Sequence, residues 1–126
     1  MPPVAAPPIE EEMNMERMAQ IIKVKPEVIP EYKRIHAAVW PEILKSIKDS
    51  GIEQMEIYRT GNRLFMIMDT EDNFSFEKKA KADAGNKKVN EWEKLMWKYQ
   101  QALPTAKPGE KWLLMDKIFE MRKEDL

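Results

Sequence analysis

Cysteine is absent from this chain of 126 residues, and histidine occurs only once, at position 36. Without cysteine there is no disulfide framework and no thiolate nucleophile. One histidine and no cysteine also leave too few ligands for the usual zinc sites. Glycine is scarce, with four residues, and none forms a glycine-rich phosphate loop. We therefore expect neither a metal nor another cofactor.

The chain also lacks an excess of charge of either sign and any long hydrophobic run. The net charge is −1, so the chain lacks the basic surplus typical of a nucleic-acid-binding protein. No run approaches the 18 apolar residues of a membrane span. The start of the chain has neither the basic residues nor the apolar run of a signal peptide. We therefore expect a cytoplasmic protein that binds neither nucleic acid nor membrane.

The chain divides into one domain with two tails. Four prolines and three successive glutamates fall in residues 1–16, a composition that cannot offset the entropy of folding. We therefore predict a disordered N-terminal tail over residues 1–16, one domain over residues 17–122 and a short C-terminal tail over residues 123–126. Residues 17–122 are enough for one hydrophobic core.

Hydrophobic periodicity predicts four strands and four helices in the domain. The predicted strands cover residues 18–25, 52–60, 63–70 and 111–121. The predicted helices are one that opens at Pro26 or Pro30 and breaks at 38–40, then 41–49, 73–84 and 89–103. This order is that of a ferredoxin-like α+β fold, a four-stranded antiparallel sheet with its helices on one face. Both faces of the third strand are apolar, so we expect a homodimer that covers the second face.

The single histidine stands in the most distinctive segment, residues 31–43. Tyr32 precedes His36 by four positions, so on a helix both side chains lie on one face, about 5–6 Å apart at Cβ. Trp40 continues the same stripe. Because histidine titrates near neutrality, His36 is the first candidate for proton transfer. A satisfied core or surface histidine is the alternative reading.

The segment reads Glu-Tyr-x-x-x-His-x-x-x-Trp-Pro-Glu-Ile, and this spacing resembles that of the L-rhamnose mutarotase family. The likeness covers residues 18–121 and includes the hairpin 57–65 and a tryptophan-containing helix before the last strand. The resemblance implies a ferredoxin-like domain of the dimeric α/β-barrel type, in which two sheets meet in a homodimer. It also implies an isomerase that acts on the anomeric carbon of a monosaccharide.

Such an enzyme interconverts α and β anomers by opening and closing the pyranose ring. One group gives a proton to the ring oxygen and another takes the proton of the anomeric hydroxyl, and each typically contributes about 10²–10⁴-fold. The resemblance implies that His36 is the proton donor and that Tyr32 contacts the sugar. This chemistry needs no metal, nucleotide or covalent intermediate.

Further site candidates are aromatic or acidic. Aromatic rings can stack on the C–H face of a sugar, and the candidates for this contact are Trp92 and Trp97. Trp40 and Tyr58 are further candidates for substrate binding. Trp92 can equally be a core residue of its helix, and Tyr58 suits core or dimer packing better than substrate contact. Glu93 and Asp69 are possible second proton carriers, although most single carboxylates are solvated surface groups.

Two positions depart from the pattern of L-rhamnose-type members. Those members carry adjacent tryptophans where this chain has Trp92 and Glu93, and a tyrosine where it has Met55. Both positions face the sugar in the family, so we expect the substrate to be a related 6-deoxy sugar such as L-fucose, or another pyranose. Two other classes stay open: a cofactor-free, monooxygenase-like dimer and a non-catalytic module that binds a small ligand.

Overall fold

The structure is a computed structural model, and it describes residues 16–125. Its strands are β1 (Glu16–Val24), β2 (Ile52–Thr60), β3 (Arg63–Thr70), β4 (Gln100–Gln101) and β5 (Leu113–Leu114). Its α-helices are α1 (Ile29–His36), α2 (Pro41–Asp49), α3 (Phe76–Ala84) and α4 (Lys87–Met96). Short 3-10 turns cover Pro26–Val28 and Lys123–Asp125. The predicted N-terminal tail lies outside the described residues, except for Glu16, which begins β1.

All strands pair antiparallel, in the order β2-β3-β1-β4, and β5 pairs with β1 as well. The central pair is β1 with β3, in a register that sets Ile22 opposite Leu64. Two short strands thus share the place of the predicted fourth strand. The order confirms the predicted ferredoxin-like α+β fold.

The two faces of the sheet differ in their cover. On the inner face, Ile22, Leu64 and Met68 are at most 2% exposed because the helices pack on them. The outer face carries Phe65 and Ile67, which alternate with these residues and are only half-buried. A buried functional site is therefore expected between the inner face and the helices.

A β-bulge interrupts the pairing of β2 with β3. Ile52 lies opposite Thr70 and Gln54 lies opposite Asp69, so Glu53 is an extra residue with no partner in the ladder. The extra residue allows both Ile52 and Met55 to pack against the inner face.

The predicted break between the first two helices is confirmed. Helix α1 ends at His36, and α2 begins at Pro41, whose fixed φ suits the first turn of a helix. Helix α3 begins at Phe76, three residues later than predicted, because the Ser75 side chain caps it by accepting a hydrogen bond from the Lys78 backbone N–H at 3.2 Å.

The helix predicted over residues 89–103 is wrong beyond Met96. The chain turns there, and Gln100 and Gln101 form β4 against the end of β1. Tyr99 packs on the same core as α4, which is why the apolar spacing continues past the end of the helix.

The strand predicted over residues 111–121 is wrong beyond Leu114. Only Leu113 and Leu114 pair with β1, and after the Met115 N–H bonds the Ala19 carbonyl at 2.8 Å the chain leaves the sheet. The C-terminal apolar segment, residues 118–121, is then exposed, with Ile118 at 94% and Phe119 at 79%. The apolar sequence of residues 115–121 is typical of a strand, but within residues 16–125 no strand pairs with this segment.

Candidate active site

A cleft of about 720 Å³ opens between the inner face of the sheet and the helices. This volume lies within the range of about 300–1,000 Å³ that is usual for small-molecule sites. Its lining is mostly apolar, with a few polar side chains. Tyr32 and His36 enter it from α1, Met55 from β2, and Trp92 and Glu93 from α4.

His36 is held in one orientation by its own helix. Its Nδ1 lies 2.9 Å from the carbonyl oxygen of Tyr32. A carbonyl only accepts hydrogen bonds, so Nδ1 carries the hydrogen and Nε2 is the nitrogen available for proton transfer. Burial lowers the pKa of His36 below its ordinary value, and the hydrogen bond to the Tyr32 backbone opposes that effect in part. At neutral pH the ring is therefore mainly uncharged and can accept a proton on Nε2.

Tyr32 is a buried hydrogen-bonding group rather than a base. The residue is 5% exposed, and its hydroxyl oxygen accepts a hydrogen bond from Gln100 Nε2 at 3.1 Å. Burial raises the pKa of Tyr32 to about 12, so the hydroxyl keeps its proton at neutral pH. It can contact a ligand but cannot act as a general base there.

Aromatic rings fix the position of the imidazole. The Tyr32 and His36 rings stack with centroids 4.1 Å apart and an angle of 28° between their planes. Trp92 meets His36 edge-on at 5.6 Å, and Trp40 meets Trp92 edge-on at 5.1 Å. The imidazole therefore sits between a tyrosine and a tryptophan, and few rotamers are open to it.

An ion pair lies along the same cleft. Lys111 Nζ is 2.5 Å from Glu93 Oε2, and both residues line the cleft. The Lys111 side chain is only 14% exposed. Burial lowers the pKa of Lys111, and Glu93 counters part of that shift. The pair gives the cleft an ammonium and a carboxylate on the side of α4.

The structure brings five of the eight predicted site residues to the cleft: Tyr32, His36, Met55, Trp92 and Glu93. Trp40 instead packs against Trp92 without lining the cleft, and Trp97 lies past the end of α4, 42% exposed, beside the Lys111 ammonium.

Tyr58 and Asp69 are on the outer face, away from the cleft. Tyr58 is 53% exposed and paired opposite Phe65. Asp69 accepts a hydrogen bond from Arg17 at 2.8 Å, and this interaction lowers the pKa of Asp69. The alternation of residues along β3 places Asp69 on the outer face, so the prediction that Asp69 carries a proton in the cleft is wrong.

Gln100 and Lys111 were missed by sequence reasoning. Gln100 fell inside a predicted helix and Lys111 at the start of a predicted strand, and neither belongs to a motif. Only the turn after Met96 and the path of residues 100–112 past β1 bring both side chains to the cleft.

Two general features complete the description of residues 16–125. None of their helices has the length and apolar character needed to cross a membrane. No group of three or more histidine, aspartate or glutamate side chains in this part of the chain is placed to hold a metal ion.

Comparisons with known proteins agree with this geometry. The L-rhamnose mutarotase family model matches residues 17–121. The chain belongs to the L-rhamnose mutarotase family. This membership confirms the family predicted from the histidine motif and makes the protein an isomerase of the mutarotase type.

Curated relatives cover most of the chain. An L-fucose mutarotase from Xanthomonas campestris pv. campestris is 38% identical over 86% of this chain and 90% of its own length. An L-rhamnose mutarotase from Listeria monocytogenes serotype 4b is 29% identical over 81% of this chain and 92% of its own.

A crystal structure of an L-rhamnose mutarotase from Formosa agariphila superposes with a TM-score of 0.65. It covers 85% of this chain and 99% of that one at 24% identity, which supports the fold alone. Of the three classes that the sequence left open, these comparisons favour the sugar mutarotase.

Proposed function

We propose that this protein interconverts the α and β anomers of a 6-deoxy-hexopyranose, with L-fucose as its preferred substrate. The observation that carries the proposal is the fixed imidazole of His36, with Nδ1 bonded to the Tyr32 carbonyl and Nε2 left for proton transfer in a cleft of sugar size. Such a group is what ring opening of an aldose requires.

Ring opening begins at the anomeric hydroxyl. Nε2 of His36 takes the proton of O1, the C1–O5 bond breaks, and a double bond forms between C1 and O1. O5 receives a proton as it leaves. Rotation about C1–C2 exposes the other face of the aldehyde, and the reverse steps close the ring with the opposite configuration. By microscopic reversibility His36 returns this proton to O1 on ring closure. In ring opening His36 is thus proposed as the base at O1, which differs from the proton-donor role that the family resemblance implies.

The proton for O5 comes from the Glu93–Lys111 pair. Glu53 and Glu93 are the carboxylates that line the cleft, and Glu93 is next in sequence to Trp92, whose ring contacts His36. Lys111 forms an ion pair with Glu93, and burial lowers the pKa of Lys111, which makes its ammonium a better proton donor than that of a solvated lysine. The charge of the pair stays constant over a full cycle because the proton returns on ring closure.

The choice of L-fucose rests on residues that replace the aromatic groups of L-rhamnose-type members. Met55 and Glu93 line the cleft where those members carry a tyrosine and a tryptophan. A thioether is only a weak hydrogen-bond acceptor for a sugar hydroxyl, whereas a carboxylate is a strong one. The relative that is 38% identical is named an L-fucose mutarotase, which agrees with this choice.

A second copy of the chain is proposed to cover the outer face. Phe65 and Ile67 leave this face apolar, and the C-terminal apolar segment is exposed beyond β5. A stable homodimer buries about 1,200–2,000 Å² in total. We propose that the second subunit packs against both of these apolar surfaces. Location in the cytoplasm remains a prediction from composition.

Saturation-exchange NMR on the wild-type protein tests the activity. The anomeric protons of L-fucose, L-rhamnose and D-glucose are each irradiated with and without the protein, and the spontaneous exchange rate is the baseline. We expect acceleration for L-fucose, a weaker one for L-rhamnose and the weakest for D-glucose. Exchange at the spontaneous rate for all three sugars would reject the function, and a clear preference for L-rhamnose would reject the substrate.

A further inference from the structure

Gln100 is a buried polar residue that neither the motif nor the family resemblance points to. It is 3% exposed, begins β4 and lines the cleft. Its Nε2 donates to the hydroxyl oxygen of Tyr32, a residue 68 positions earlier in the chain, at 3.1 Å. The side chain therefore connects the last strands to the helix that carries His36.

The oxygen of the same Gln100 amide lacks a hydrogen bond. Oε1 of Gln100 is buried and has no hydrogen-bond partner within residues 16–125. A buried acceptor without a partner costs folding free energy, whereas an apolar side chain of the same size at this position would not. Stability alone therefore does not account for a glutamine here, and such groups call for an explanation in function.

The hydrogen-bond count at Tyr32 supplies that explanation. A tyrosine hydroxyl has one hydrogen and can also accept hydrogen bonds. Because Gln100 donates to the oxygen, the Tyr32 hydrogen is left for another acceptor. If the amide were flipped, Tyr32 would donate its hydrogen to Oε1, and the amide NH2 would be left without Tyr32 as its acceptor. The orientation with Nε2 on Tyr32 is the one that leaves Tyr32 as a donor.

We propose that Gln100 is a positioning residue, which holds the Tyr32 hydroxyl as a hydrogen-bond donor to an oxygen of the bound sugar. The inference rests on the proposed function for the identity of the ligand. It concerns binding rather than proton transfer, because the Tyr32 hydroxyl keeps its proton. Its consequence is that Gln100 affects the sugar only through Tyr32.

Three variants test this connection: Gln100→Met, which keeps the size of the side chain and removes both polar atoms, Tyr32→Phe, and the double variant. NMR titration with L-fucose gives the Kd of each, and saturation exchange gives KM and kcat. We expect each single variant to raise Kd and KM about three- to tenfold, the effect of one hydrogen bond, with kcat within about twofold of the wild type. The double variant should be no worse than Tyr32→Phe alone.

Gln101→Met is the matched control, since Gln101 is the exposed neighbour in β4. It should leave Kd unchanged. Thermal unfolding separates binding from folding: the double variant removes both polar partners and should melt at or above the wild-type temperature.

Several outcomes would overturn the inference: an unchanged Kd in Gln100→Met, a double variant whose loss is the product of the two single losses, or a large fall in the melting temperature of the double variant. The exchange rate of the wild type tests the proposed function independently of the Kd values. If the wild type binds L-fucose without accelerating exchange, the proposed function falls, while the Kd values still decide the role of Gln100.

Discussion

Strand β3 carries apolar residues on both faces of the sheet, but the surroundings of the two faces differ. On β3, Leu64 and Met68 face inward and are almost fully buried, whereas Phe65 and Ile67 face outward and stay partly exposed. Four helices cover the inner face, and within residues 16–125 the C-terminal segment extends past the sheet without covering the outer one.

The difference shows what each face contributes. Polar groups lie in a mostly apolar cleft between the inner face and the helices, where burial shifts the pKa values of His36, Tyr32 and Lys111. On the outer face, Arg17 pairs with Asp69, and the arginine side chain lies largely in solvent. We therefore expect substitutions on the inner face to change chemistry and those on the outer face to change association.

His36→Asn should have the largest effect. Asparagine is polar and of similar size but cannot exchange a proton near neutrality, so the loss should be about 10²–10⁴-fold in the rate of anomer exchange. Saturation-exchange NMR measures the rate, and circular dichroism checks the fold. Lys33→Asn, on the exposed side of the same helix, is the control and should remain active. A fully active His36→Asn would transfer the role to the Glu93–Lys111 pair.

Phe119→Asp should have the next largest effect, on the assembly. A charge in a buried apolar contact should weaken the dimer by at least about 2 kcal/mol, roughly thirtyfold in its dissociation constant. Sedimentation at micromolar concentration should show a dimer for the wild type and the 14.9 kDa chain for the variant.

Leu44→Asp places the same charge on an exposed leucine of the helical layer and should stay dimeric. If the wild type sediments only as the single chain, the outer face is not a dimer contact and the proposed difference between the two faces is wrong.

Met55→Tyr should move substrate preference by a smaller amount. A tyrosine at this cleft position restores the group found in L-rhamnose-type members, and one neutral hydrogen bond contributes about 0.5–1.5 kcal/mol. The ratio of kcat/KM for L-rhamnose to that for L-fucose should rise a few-fold, as read by NMR exchange. Met55→Phe adds the ring without the hydroxyl and should leave the ratio nearer to that of the wild type. Equal ratios in both variants would mean that ring volume, and not the hydrogen bond, sets preference.

The acid limb of the pH profile should show the smallest effect. Burial lowers the pKa of His36 below its ordinary value of 6.5, so the neutral ring persists to lower pH in the folded protein. Enzymatic exchange, corrected for the spontaneous rate, should stay level as the pH falls to 6.5 and decline only below it. His36 also subtracts stability as the pH falls from 6.5 towards its folded pKa, because the unfolded chain binds that proton more readily. His36→Asn should lose both dependences, and a limb centred above 6.5 would contradict the burial of the ring.

Local signals were sufficient for much of the fold. Of the two openings predicted for the first helix, Pro30 lies one residue after the start of α1 and Pro26 three residues before it. Pro41, the Gly61 turn and the alternation of residues 63–70 predicted α2 and the β2–β3 hairpin with their observed bounds. The spacing of Tyr32 and His36 predicted that they share a face, because four residues make about one helical turn.

The rest depended on contacts between distant parts of the chain. Periodicity cannot reveal that Gln100 pairs with β1, since Tyr99 packs on the core equally well after the helix has ended. Periodicity also cannot distinguish a strand from an exposed apolar segment, which is why the strand predicted over residues 111–121 was too long. Tyr58 and Trp97 were proposed for their ring chemistry, but residue type does not determine on which side of a sheet or helix a ring points.

The bulge at Glu53 has a consequence for chain length. In a regular strand Ile52 and Gln54 would share a face, so the bulge is what lets Ile52 face the core while Gln54 faces away from it. Deleting Glu53 would make Ile52 and Gln54 consecutive residues, and ordinary alternation would keep both opposite their present partners, Thr70 and Asp69. The position should therefore tolerate both substitution and a gap of one residue, and a relative with one residue fewer here should have a regular β2–β3 ladder with the same residues facing the core.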